Sequence, residues 1–418
     1  MITMASSDPP RYLLLLSPAP SPPEAGTLKA AYGDTISQVL QEVATHSSES
    51  SKAAVLEITL ACPHLVDQQR TPRAALYNGT QSLLAAVYKL ICTVAANDGI
   101  NVEDHDGVDV RILPVSWSPE DGNDEPSADE VPYGPIISMQ TLARSGRQWR
   151  YAFGVESESG EAMVKAFIAA KGRGESVSRV RSGPVLNNTN DNSGSLGDGG
   201  SEAANATNER SSEPHPHVAV GGTFDHIHIG HKLLLTMTVF AADRAADGAG
   251  KEHTATIGIT GDQLLKNKKH AEVLESWEDR YRSVMTFVDA IVDFAPPASP
   301  GQRHVSTRDD PGPNGKSMDV SYPSGLIVKC TEIQDPFGPT ITEEQISALI
   351  ISAETRAGGK AVNDKRAEKG WKPLEVFEVD VLDADDDDSG EKVKEGFENK
   401  LSSTAIREKL AKKRQSSL

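Results

Sequence analysis

Residues 218–231 read VAVGGTFDHIHIGH, and the reading of this stretch decides the fold. Val218, Ala219 and Val220 form a short, uninterrupted apolar run, the pattern of a strand buried on both faces. Gly221 and Gly222 follow, where the backbone can approach a ligand without a Cβ in the way. Thr223, Phe224 and Asp225 make a brief loop, and an amphipathic helix opens over residues 230–244. His228 and His231 are three positions apart, so at a helix start they share one face. Gly230 between them leaves room for a flat ligand to lie against the backbone. The first amides of a helix and its dipole favour a phosphate at this spot. Two imidazoles aimed at a phosphate suit phosphoryl or nucleotidyl transfer, where catalysis is chiefly positioning and charge stabilisation. The bland alternative is a helix start with two exposed histidines. A metal site would need further ligands at suitable spacing, and none is assigned.

Outward from this stretch the chain alternates strand-like and helix-like segments. Residues 254–260 (TATIGIT) read as a strand, 276–292 as a helix, 325–333 and 348–353 as strands, 359–369 as a helix, 374–382 as a strand and 402–413 as a closing helix capped by its serines. Such alternation predicts a mainly parallel sheet. Residues 217–418 are therefore expected as an α/β domain with a Rossmann-like, doubly wound parallel sheet. Residues 296–321, rich in Pro, Gly, Ser and Asp, read as a disordered insertion. Gly315, Lys316 and Ser317 there have the tail of a P-loop, but Asp310 stands where its first glycine should be. Glu278, Asp279, Arg280 and Arg282 read as a solvated helix face, Asp335 as part of a shaped turn, and residues 383–388 as an acidic loop.

Upstream, residues 1–172 read as a second α/β domain of unknown role. Strands are expected at residues 11–17, 53–61 and 107–115, with helices over 80–96 and 160–171. The polar group His64, Asp104, His105 and Asp106 reads as solvated turns. Residues 173–216 hold no aromatic residue and almost no bulky apolar one, so they predict a flexible linker.

Composition sets outer bounds. The chain has 418 residues, with 42 Lys and Arg against 60 Asp and Glu, a formal charge of −18. A duplex nucleic-acid binder carries a basic footprint, so no nucleic-acid partner is expected; small anionic ligands stay open, since a few local cations can hold a phosphate. Cys62, Cys92 and Cys330 form no metal spacing and no disulfide framework, which predicts reduced thiols and a cytoplasmic protein. The leucines at 13–16 end at Ser17 and Pro18, too short a run for a secretory core or a transmembrane segment.

Four further motifs carry a resemblance. After GGTFD and His-x-Gly-His come GDQLLKNK at 261–268, QDPFGP at 334–339, SAETRAGGKAVNDKR at 352–366 and SSTAIR at 402–407. In this order they resemble the eukaryotic type of pantetheine-phosphate adenylyltransferase, a branch of the nucleotidylyltransferase superfamily. The resemblance covers roughly half the chain. Residues 109–113 (DVRIL) loosely resemble the N-terminal region of animal bifunctional coenzyme A synthases, whose dephospho-coenzyme A kinase domain has no counterpart here; a monofunctional enzyme is thus expected.

The resemblance implies transfer of AMP from ATP to 4′-phosphopantetheine, giving dephospho-coenzyme A and pyrophosphate, with Mg²⁺ accompanying ATP. It implies that Thr223 hydrogen-bonds the acceptor phosphate, and that Gly222, Phe224 and Gly230 lie in the substrate and ATP contacts. His228 and His231 would meet the ATP phosphates. Lys266 would neutralise charge around them, with Lys268 and Lys269 competing for that match. Arg356 would sit near nucleotide and phosphates, Ser402, Ser403 and Thr404 at the β/γ-phosphates, and Arg407 would add a cation. A complex with other coenzyme A biosynthesis enzymes is a possible partnership. The rivals are another adenylyl- or cytidylyltransferase, a class I aminoacyl-tRNA synthetase, which shares the His-x-Gly-His signature, and an inactive scaffold.

Overall fold

A computed structural model describes residues 9–48, 53–102, 107–120, 132–172, 176–183, 213–244, 252–296, 303–380 and 403–416. The first half runs β1 (Arg11–Leu16), α1 (Ala25–Ser48), β2 (Val55–Ala61), α2 (Arg73–Asp98), β3 (Asp109–Ser116), β4 (Ile137–Ser138), α3 (Met139–Arg144), β5 (Tyr151–Glu156), α4 (Glu158–Lys171) and β6 (Val177–Arg181). Its strands pair in parallel in the order β4-β3-β2-β1-β5-β6. The sequence explains the placing of the central strands: β2 is buried at every position, as a strand covered on both faces must be. The long α2 stops at Gly99, whose left-handed conformation (φ 69°) lets its N–H reach the carbonyls of Ala95 and Ala96.

The second half runs β7 (His217–Gly222), α5 (Ile229–Ala241), β8 (His253–Thr260), α6 (Trp277–Val292), β9 (His304–Asp309), β10 (Lys316–Ser321), β11 (Leu326–Ile333), β12 (Ala348–Ser352), α7 (Arg356–Glu368), β13 (Glu375–Val379) and α8 (Ser403–Ser416). The sheet order is β13-β12-β7-β8-β11-β10-β9, parallel from β13 to β11 and antiparallel at β10 and β9. The chain winds one way from β7 through β8 to β11, then returns to the other side of β7 with β12 and β13. Ligands of such sheets bind where the winding reverses, beyond the carboxyl ends of the strands, here between β7 and β12. The first sheet has the same winding about β1. The doubly wound reading therefore holds for the second half, and the first half, expected only as α/β, is wound in the same way.

Beyond shifts at element ends and the unexpected α1 and β5, two segments depart from the sequence reading. Residues 303–321, expected to be disordered, are an ordered hairpin that extends the sheet. The Pro/Gly-rich composition belongs to its turn, where Gly312 (φ 111°) and Asn314 (φ 61°) reverse the chain, while Ser317 and Val320 of β10 are fully buried. Residues 297–302 of that range lie outside the described residues. The first domain also continues past residue 172, because β6 pairs with β5 from Ala152–Val177 to Glu156–Arg181. β6 is a polar edge strand with only Val180 buried, so its composition resembles that of the expected linker; residues 184–212 lie outside the described residues, as do 103–106 and 381–402.

The halves share one buried apolar cluster. α2 lies along α5, and the ring of Tyr77 of α2 lies 6.3 Å from that of Phe240 and 4.6 Å from that of Phe377 of β13, tilted against both. Arg147, after α3, donates to the carbonyls of Ala290 and Asp293 at the end of α6 (2.6 and 3.0 Å) and to Glu57 of β2 (2.9 Å). On the far face of the second sheet, Val362 of α7 packs on Ala219, Leu349 and Ile351. By length and composition α2 could cross a membrane, but 61% of its apolar window is buried inside the molecule, as for a core helix.

Candidate active site

The loop from β7 to α5 is held under strain. Phe224 and His226 have φ of 54° and 49°, a region non-glycine residues rarely occupy and one that persists only when surroundings enforce it. Those surroundings are specific. Asp225, fully buried, accepts from the Glu275 amide (2.9 Å) and from Arg407 Nη1 (2.6 Å). The His226 amide donates to Glu275 Oε2 (2.7 Å), and its ring Nε2 to the Val273 carbonyl (3.0 Å). Arg280 Nη1 donates to the carbonyls of Thr223 and Thr260, both at 2.8 Å. The loop is thus pinned from α6 on one side and α8 on the other.

On this support the two histidines meet. Their rings stack with centroids 3.9 Å apart and planes at 28°, and His231 also lies 5.4 Å from the Phe224 ring. His228 is the residue that opens α5. Its Nε2 is 3.5 Å from Ser403 Oγ, at the start of α8. Among the described residues, the buried Nδ1 atoms of both rings have no hydrogen-bond partner. Burial pushes His228 well below the ordinary imidazole range and His231 to about 4. Both rings are therefore neutral near pH 7, and each can donate from one nitrogen and accept at the other.

The remaining expected residues divide. Thr223, half-buried, has its carbonyl engaged by Arg280. Gly221 has open space where a Cβ would be, whereas a Cβ on Gly222 would come within 3.0 Å of the Phe224 ring. Gly222 thus lets the Phe224 ring pack closely against the backbone of the loop. Phe224 is fully buried and supports the loop from beneath, which removes it from the contact surface expected for it. A Cβ on Gly230 would come within 3.2 Å of the His228 ring, so that glycine makes room for the imidazole. Lys266 is exposed on the loop after β8. Ser402 lies outside the described residues.

Two arginines depart from expectation. Arg407, expected as a phosphate cation, is buried and neutralised by Asp225, with Nε on the Lys269 carbonyl (3.1 Å) and Nη2 on Thr404 Oγ1 (3.1 Å). Its guanidinium anchors α8 and does not face the histidines as an open charge. Arg356, at the start of α7, pairs with Glu378 of β13, Nε to Oε2 at 2.7 Å, and is largely exposed. It is engaged at the sheet surface, and the structure does not bring it to the imidazoles. Arg280, read as solvated, is fully buried. Its position was visible in the sequence: it shares the helical stripe of Trp277, Val284, Phe287 and Ile291, all buried. Asp335 accepts from the amides of Phe337 and Gly338, both at 2.8 Å, and from Asn314 of the hairpin turn at 3.3 Å, so QDPFGP is indeed a shaped turn.

Residues 219–409 match the cytidylyltransferase-like family, and residues 4–186 match a domain of unknown function, DUF8446. Over 165 residues, 40% of the chain, the sequence is 30% identical to a phosphopantetheine adenylyltransferase of Thermococcus kodakarensis and covers 74% of it. The chain belongs to the phosphopantetheine adenylyltransferase family. It is also 33% identical over 192 residues to the phosphopantetheine adenylyltransferase of Saccharomyces cerevisiae and 34% identical over 194 residues to an uncharacterized protein of Schizosaccharomyces pombe, each over 46% of this chain. The matches span 48% of either yeast protein, about half its length. The family match and the geometry fall on the same half: the matched residues 219–409 contain the strained loop, both histidines and the first half of α8, with its anchor Arg407.

Proposed function

We propose that the second domain transfers AMP from ATP to 4′-phosphopantetheine, forming dephospho-coenzyme A and pyrophosphate. The carrying observation is the pair of stacked, neutral imidazoles at the N-terminus of α5, with Ser403 of α8 against His228. The curated relatives at similar identity supply the substrates. The acceptor phosphate is already anionic, so it attacks the α-phosphorus in line without a general base. One phosphate oxygen forms the new P–O bond as the bond to the β-phosphate oxygen breaks, and pyrophosphate leaves. His228 and His231 donate hydrogen bonds to the phosphates as charge builds on them, and the opening amides of α5 add their dipole. Thr223, whose hydroxyl is free among the described residues, meets the acceptor phosphate. Lys266, exposed after β8, neutralises charge on the leaving pyrophosphate.

Mg²⁺ accompanies ATP in this reading. Among the described residues, the cluster with metal-ligand chemistry is Asp225, His226 and Glu275. It does not fit: both Asp225 oxygens are taken by Arg407 and the Glu275 amide, and Glu275 accepts from the His226 amide. The protein therefore offers no ligand set there, and no step is routed through the ion.

The test is pyrophosphate release by the purified chain with ATP and Mg²⁺, comparing 4′-phosphopantetheine, nicotinamide mononucleotide and FMN. Release with phosphopantetheine alone, with dephospho-coenzyme A as product, is expected. Release with another acceptor would keep nucleotidylyl transfer and replace the substrate. Silence with all three would overturn the proposal.

A further inference from the structure

Lys232 directly follows His231 in the first turn of α5. A lysine there would be the natural phosphate cation, yet it points the other way. Its Nζ donates to Asp109 Oδ1 (2.6 Å) and to the Val110 carbonyl (2.9 Å), both in β3 of the first domain. Lys232 and Arg111 are each 6% exposed, and Arg111 grips the second Asp109 oxygen through Nε and Nη2 (3.0 and 2.6 Å). Burial alone would raise the Asp109 carboxyl, but the Lys232 ammonium and Arg111 guanidinium hold it well below the usual carboxylate range. The lysine backbone closes the link: its amide donates to the His228 carbonyl at 3.0 Å. Asp109 and Arg111 belong to the DVRIL stretch, for which the transfer reaction itself has no use.

We propose that the first domain is a positioning element for the active site: Asp109 clamps Lys232 across the domain boundary and thereby fixes the rotation and depth of α5, on which His228 and His231 stand. The two histidines lie within one helical turn of the clamp, so a shift of Lys232 is passed to them through the rigid first turn. Displacements near 1 Å at a reacting centre cost about a hundredfold in rate, which makes such a clamp catalytically relevant without touching substrate. The kinetic part of this inference rests on the reaction proposed above.

The test uses the full-length chain. Asp109→Asn removes the charge but not the shape. It is expected to lower kcat about tenfold or more while leaving the KM for ATP within about twofold. Lys232→Met should do the same, and the double variant should be no worse than the poorer single, since both sever one link. Arg147→Gln is the control: it loosens the same domain contact at the end of α6, away from α5. It should lower the melting temperature and keep kcat within about twofold. Equal kcat loss in Arg147→Gln and Asp109→Asn, or an unchanged kcat in Asp109→Asn, would overturn the positioning role. If the wild-type chain turns over no acceptor, the reaction proposal falls, but the clamp can still be read by NMR. The imidazole resonances of His228 and His231 should move in Asp109→Asn and stay in Arg147→Gln; unmoved resonances overturn the clamp. Should Asp109→Asn fail to fold, Asp109→Glu keeps the charge and lengthens the arm. It should show the kcat loss with a near-native melt, and wild-type kcat there would overturn the clamp.

Discussion

At the scale of single residues, His231 sets a clear pH dependence. Unfolded, its imidazole takes up a proton near pH 6.5; folded, burial delays uptake to about 4. Between those values the unfolded chain binds more protons, so stability rises with pH across this window and falls on acidification. His228, also lowered, adds in the same direction. Thermal melts between about pH 7 and pH 4.5 should show a falling midpoint, and His231→Gln should flatten that slope; an equally steep slope would assign it to other groups. His228→Ala should cut turnover by orders of magnitude while ATP binding, read by calorimetry, stays close to wild type. Gly230→Ala places a Cβ within 3.2 Å of the His228 ring. A turnover loss of about tenfold with little change in melting temperature is expected, and full activity would show that the ring can yield.

At the scale of elements, two buried arginines couple helices to the strained loop. Arg407→Met would leave Asp225 buried and unpaired, which should destabilise by about 3–5 kcal/mol in urea unfolding. A phosphate-binding Arg407 would instead raise the KM for ATP with stability unchanged, so the two roles separate in one variant. The sequence revealed these elements better than their duties. His-x-Gly-His and the helix that follows were legible because strand, glycines and helix start are contiguous in residues 218–231. Arg407 was misread because its partner lies 182 positions away, a distance over which no local pattern speaks. Arg280 was readable from its apolar stripe, but three charged neighbours suggested a wet face. The hairpin of β9 and β10 was hidden because a turn rich in Pro and Gly dominates the composition of so short a segment. α1, whose buried Leu28, Tyr32, Ile36, Val39 and Val43 repeat at helical spacing, carried a signal that the composition of its surroundings obscured.

At the scale of the whole molecule, the two sheets were foreseeable from strand and helix alternation, but their union was not. Tyr77, Arg147, Asp109 and Lys232 each read locally as ordinary helix, loop or strand residues, and only folding makes them an interface. One consequence is cooperative unfolding. Calorimetry of the full chain should give a single transition, because one apolar cluster spans both halves. Residues 213–418 expressed alone would uncover the α5 and β13 surface that meets Tyr77, and should melt lower and self-associate; two well-separated transitions in the full chain would contradict this.

The order in which the ribosome delivers these parts gives α2 a further significance. Its covering helix α5 begins about 130 residues after α2 ends. At roughly 5–20 residues per second, the face of α2 that packs on α5 waits roughly 7–26 seconds for that cover, although α1 already lies against the helix. Newly made chains should therefore depend on holding chaperones during that interval, and messages truncated between the two helices should yield products that are captured or cleared instead of accumulating.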